Sequence, residues 1–162
     1  MPALYPARAL TAMKKNATIL QAILHGVDQA RATATRDGAD GWNVLEIVCH
    51  LNDFEQIFFD RNRSMVEQDS PALRVYDVPG LAVENRYADQ QFDQVWASWL
   101  QRRRAHLDFL AALPPEGWER VGLHPTWNAI TVLDMATVVA LHDGDHAEQI
   151  VRVLGLSPAV LA

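Results

Sequence analysis

The chain is short of several things, and each shortage excludes a class of protein. One cysteine, Cys49, occurs in 162 residues, so an internal disulfide framework is impossible and a reducing compartment suits the chain. No apolar run reaches the roughly 20 residues that a membrane-spanning helix needs. The start, Met1 to Leu20, lacks the compact apolar block of a secretory signal, and the expected address is cytoplasmic. Positive charge is scarce. The 14 Lys and Arg against 20 Asp and Glu leave a formal net charge of −6, whereas nucleic acid calls for a basic face and anionic lipid for a basic patch. Strand signals are almost missing, and there is no internal repeat or low-complexity segment.

What is present is ordinary globular composition, 49% hydrophobic and 21% charged, over a length that encloses a core and predicts a single domain across residues 1–162. Apolar residues recur at helical spacing in four stretches. The first runs from Tyr5 to Ala34 through Leu10, Met13, Ala17, Leu20, Leu24 and Val27, and Asp37-Gly38-Ala39-Asp40-Gly41 breaks it. The second starts at Asn43, a good N-cap, with Glu46 placed for a capping box. Ile47, Leu51, Phe54 and Phe58 carry it to about Glu67. A connection rich in turn residues follows, Gln68 to Leu81. It exceeds the usual loop of about 4–6 residues and reads as a crossover or a binding rim. The third stretch spans Ala82 to Leu113 and stops at Pro114-Pro115-Glu116-Gly117. Its Arg102-Arg103-Arg104 run reads as a solvated face. A loop to Asn128 carries Trp118, His124 and Trp127. The fourth helix begins at Thr131, with Asp134 three residues on, and ends at Gly155. The fold class is therefore all-α, a four-helix bundle.

The chemistry lies in His142-Asp143-Gly144-Asp145-His146. Two imidazoles four residues apart share one helix face and can grip one divalent ion. Both fall within the apolar stripe Met135, Val138, Val139, Ile150 and Val153, where an unpaired imidazole is costly. The competing account is a pair of core histidines satisfied by neighbouring residues. His50, beside Ile47, Phe54 and Ile57, also faces the core. Three imidazoles with an open fourth position describe a catalytic metal site better than a structural one, and they suit zinc, nickel, iron or copper. A zincin reading is weak, because Asp143 is a methylene shorter than glutamate and only Glu148 follows as a further ligand. Glu46 and Asp53 are candidate outer partners of His50, with Asp143 and Asp145 equally ambiguous. Cys49 reads as a small buried apolar residue, and His25, His106 and His124 as surface or loop histidines. Gly144 points to close approach by another backbone or a ligand, with a merely tolerated glycine as the competing account.

Two segments also carry a family likeness. Trp42-Asn43-x-x-Glu46-x-x-x-His50-Leu51 and His142-Asp143-x-x-His146-Ala147-Glu148-Gln149-Ile150 resemble the motifs of the DinB-like superfamily of helical-bundle metalloproteins. Asn43 stands where that family usually places Ser or Thr. The resemblance implies an up-down-down-up bundle with a crossover between helices 2 and 3. It implies His50, His142 and His146 as ligands of one divalent metal, often nickel or zinc, and a homodimer. Thiol-dependent S-transferases are among the relatives. The expected activity is thus transfer chemistry on a small-molecule substrate with a low-molecular-weight thiol as co-substrate. A metal-dependent hydrolase and a non-catalytic metal-binding stress-response module are the alternatives.

Overall fold

The computed structural model describes residues 4–156; positions 1–3 and 157–162 of the expected domain lie outside the described residues. In chain order the elements are α1 (Leu4–Ile23), α2 (Gln29–Ala34), α3 (Val44–Glu67), α4 (Val78–Glu84), a 3-10 turn (Tyr87–Asp89), α5 (Phe92–Ala111), α6 (Pro115–Trp118), strands β1 (Val121–His124) and β2 (Asn128–Thr131), and α7 (Val132–Val153). Both expected capping boxes form. Asn43 Oδ1 accepts from the Glu46 amide while Glu46 accepts from the Asn43 amide, and Thr131 with Asp134 repeats the exchange at the head of α7. At its other end, Gly155 takes φ +67°, the Gly155 amide donates to Arg152 and the Leu156 amide to Val151. That is a Schellman stop, which glycine adopts without a Cβ penalty.

Contacts between α1, α3, α5 and α7 fix their directions. Asn16 donates to the Ala140 carbonyl, and Ala9 shares a groove with Leu133, so α1 and α7 run parallel. Asn52 meets Arg102 and Asn62 meets His106, so α3 and α5 are parallel too. Arg103 reaches the Met13 carbonyl, while Met13 and Leu110 join one apolar cluster with Ala9, making α1 and α5 antiparallel. The result is the up-down-down-up order. Because α3 and α5 are parallel, residues 68–91 must climb back along the bundle. α4 and the 3-10 turn lie in this strap.

Three expected boundaries change. The first helix breaks at Gly26 (φ +74°) and resumes at α2, capped by Asp28. The apolar spacing runs through that break because Val27 still packs against the core. The third helix starts at Phe92 rather than Ala82. Arg86 adopts φ +50°, and a 3-10 turn intervenes. The loop before the fourth helix contains a short helix and an antiparallel hairpin pairing Val121 with Thr131 and His124 with Asn128. Strands of four residues are too short to show alternation in sequence. Leu123 also exchanges backbone bonds with Pro71 and Leu73 of the strap. A Cβ at Gly122 would stand 2.8 Å from Met65 and 2.9 Å from Leu73, so the hairpin seats against α3 and the strap only through a glycine there.

The core has two apolar halves, one around Leu20, Leu45, Ile47, Trp99 and Ile150, the other around Met13, Met65, Leu110, Met135 and Val139. Between them on α3, α5 and α7 lies a polar layer. Arg103 donates to Glu55 (2.5 Å) and through both Nη atoms to Asp143 (2.6 and 2.9 Å). His106 Nδ1 lies 2.8 Å from Glu55 Oε1, and its Nε2 meets the Asn62 amide at 2.8 Å. Arg103 is 2% exposed and His106 fully buried, which corrects the solvated arginine run and the surface histidine. Burial would raise the Glu55 carboxyl, but the Arg103 charge, with the hydrogen bonds, holds it at about 2. Burial dominates at Asp143 and pushes it up to about 6 against Arg103.

Gly144 is the further correction. A Cβ there meets nothing within 4 Å among the described residues, so no other part of the backbone approaches it closely. The helix interior carries only glycine's entropic cost. Gly144→Ala is expected to stabilise the protein by about 0.5–1 kcal/mol, measured by urea unfolding with metal content unchanged.

Candidate metal centre

His50 stands two turns into α3, and His142 and His146 stand one turn apart on antiparallel α7, so the two helices present three rings to one point. His50 Nε2 lies 2.9 Å from His142 Nε2. The ligand nitrogens of all three residues fall within 4.8 Å of one another, and the ring centroids are 4.5 to 5.0 Å apart. Two facing imidazole nitrogens can share one proton or one ion. Burial, reinforced by the neighbouring rings, lowers His50 to about 3 and His142 to about 2; His146 is also lowered, mainly by burial. All three rings are therefore neutral near pH 7 and offer lone pairs, the form in which imidazole binds metal.

His146 is oriented by a chain of partners. Its Nδ1 donates to Gln149 Oε1 (2.8 Å), and the Gln149 amide donates to Asp37 (2.9 Å). Arg152 Nε and Nη2 also bond Asp37, whose carboxyl is lowered by the Arg152 and Gln149 hydrogen bonds. Asp37 can only accept, so the amide's oxygen must face the ring. The His146 proton then sits on Nδ1, leaving Nε2 free towards the trio. Sequence reading placed Asp37 only in a turn; its partner lies 112 residues away. Outer partners of this kind are worth about 10–100-fold in metal affinity. Gln149→Ala is expected to weaken divalent-metal binding by that factor, read by competition with a chelating dye.

The expected partners of His50 do other work. Glu46 pairs with Arg36 (2.9 Å) and closes its cap, and Asp53 accepts from Tyr87 and Asn85. His50 Nδ1 is buried without a partner among the described residues. Asp143 belongs to the Arg103 layer, and Asp145 is exposed. Cys49 is buried, as expected, and its thiol is pushed up to about 12, chiefly by burial. His124 is 7% exposed rather than a surface residue. Its Nδ1 accepts from the Thr126 and Trp127 amides, which leaves any proton of the neutral ring on Nε2.

Trp42, Phe54 and Phe58 collar the histidines at centroid distances of 4.4 to 5.5 Å. Beside His142 opens a cavity of about 360 Å³, walled by Phe54 and Phe58 of α3, Val75 and Tyr76 of the strap, Leu141 of α7, and Trp127 of the hairpin. A larger groove of about 560 Å³ lies between α1 and the start of α7 and contains none of the histidines.

A model of the DinB superfamily matches residues 12–150. The chain belongs to the DinB superfamily. No curated protein is significantly similar to it. Among solved structures this DinB chain is similar to YfiT from Bacillus subtilis, described as a probable metal-dependent hydrolase with an unusual four-helix bundle topology. The TM-score is 0.77 at 20% identity, covering 94% of this chain and 89% of that one. At that identity the likeness shows the shared fold. No helix among the described residues is long and apolar enough to cross a membrane.

Proposed function

We propose that this DinB protein is a divalent-metal-dependent enzyme in which His50, His142 and His146 hold the ion and the adjoining cavity seats a small-molecule substrate. The observation that carries this reading is the meeting of three neutral imidazoles at one point. Bound there, a divalent ion supplies Lewis acidity, which favours the ionised form of a thiol or water beside it. The chain's own residues do the rest. Gln149 and Asp37 set the tautomer of His146, the aromatic collar excludes water, and the cavity wall orients the electrophile. Among the described residues no carboxylate hydrogen-bonds any of the three rings, and three ligands leave a coordination position open.

The nucleophile in this reading is a low-molecular-weight thiol, making the enzyme an S-transferase with nickel or zinc as its ion. A homodimer, supported by the family likeness, and a cytoplasmic address, supported by the single cysteine, complete it. A second reading, hydrolysis by water, is favoured by the description of YfiT. A non-catalytic metal-binding module is the third. Electrophilic substrates are to be incubated with the protein with and without added thiol, then after chelation and metal return. Turnover that needs both thiol and metal supports transfer, and turnover that needs metal alone supports hydrolysis. Unchanged turnover after exhaustive chelation overturns the metal-dependent function.

A further inference from the structure

The cavity wall contains a cation to which the metal site assigns no role. Arg61, two turns beyond Phe54 on α3, is 8% exposed. Its Nη2 donates to the Arg74 carbonyl, and its Nε is buried with no partner among the described residues. None of the ion pairs among the described residues includes Arg61. The contrast with Arg103 is internal to this protein, since that buried arginine meets two carboxylates. Buried charges are normally paired, because an isolated one forfeits hydration with nothing in return.

The surroundings of Arg61 offer it little. The Phe58 and Tyr76 rings each lie 5.9 Å from its guanidinium carbon. Burial draws the arginine below its ordinary range, with Tyr76 countering. His124, which shares the cavity, is lowered by burial and then by the Arg61 charge. Asp145 also lines the cavity but forms no ion pair with Arg61. An organic anion would supply the missing opposite charge, its carboxylate accepting from Nη1, the guanidinium nitrogen that is neither bonded to Arg74 nor enclosed as Nε is.

We propose that the cavity takes a small organic acid, its carboxylate paired with Arg61 and its hydrocarbon or aryl part against Phe54, Phe58 and Trp127, beside the histidine trio. Arg61 is then a specificity-determining residue. The inference rests on the metal-dependent function proposed for the same site. A cavity of about 360 Å³ lies at the small end of ligand pockets, which are about 300–1,000 Å³.

Phenylacetate and phenylacetamide have nearly the same shape and differ in charge. They are to be titrated by calorimetry into the full-length chain after chelation, so that no ion competes for the carboxylate. Phenylacetate is expected to bind roughly tenfold or more tightly, the size of one charge-assisted hydrogen bond. Arg61→Met should erase that preference, and Arg61→Lys should keep part of it. In the wild type, the Arg61 Nε–H proton resonance should move with phenylacetate and stay with phenylacetamide, a readout that holds even where Arg61→Met does not fold. Equal affinities of the two probes for the wild type, or an unmoved Nε–H signal at the solubility limit of phenylacetate, would overturn the proposal. Metal content and chelation separate the two ideas. Arg61→Met should retain its ion; undiminished metal in His50→Ala would remove His50 from the site, and turnover unchanged after chelation would sink the metal-dependent function instead.

Discussion

Metal content is expected to fall from about one ion per chain to near zero when His142 is replaced by alanine. His142 is central to the trio. Its Nε2 faces that of His50 at 2.9 Å, and its ring lies beside both others. Two imidazoles on different helices would remain, and neither Asp143 nor Asp145 belongs to the cluster of ligand atoms. The first is tied to Arg103, and the second is exposed. A direct ligand should therefore matter more than the roughly 10–100-fold expected for an outer partner such as Gln149. Elemental analysis after dialysis reads the result, and turnover should vanish with the ion. The fold should survive, because removing one ring from a cluster of buried imidazoles also removes a desolvated polar group. Full metal occupancy in His142→Ala would exclude His142 from the site.

Arg103→Met carries the largest expected loss of stability. The substitution keeps apolar volume next to Trp99, whose ring lies 4.6 Å from the guanidinium carbon. It leaves Glu55 and Asp143, each 1% exposed, facing one another without a cation. Removing one member of a buried ionic group costs about 3–5 kcal/mol, and for a chain of this size that corresponds to about 6–20 °C in melting temperature. A thermal melt by circular dichroism measures it. Replacing Glu55 and Asp143 with apolar residues in the same protein should recover much of the loss. A melting temperature unchanged in Arg103→Met would mean that the layer is not ionic.

These two sites differ in how far the sequence discloses them. The histidine trio was legible because two ligands lie in one helical turn and the third lies on the apolar face of a helix whose start is marked by Asn43 and Glu46. The bundle was legible for the same reason: apolar spacing and caps are local properties. The Arg103 layer was not. Arg102-Arg103-Arg104 looks uniform in sequence, and only helix phase and two acids 48 and 40 residues away select the middle member for burial. His106 and Asp37 escaped notice likewise, because their partners sit on distant elements. Arg61 gave no signal at all. Its interest lies in lacking a partner, which no local pattern reports.

The parallel course of α3 and α5 has an evolutionary consequence. The chain must travel back over residues 68–91, and that return path supplies Val75 and Tyr76 to one side of the chamber, while the three histidine rings project from rods fixed by the deep interior. Exchange of the return path can thus redraw what the chamber admits without disturbing the histidine cluster. One scaffold of this kind can diversify its chemistry by altering a single peripheral stretch.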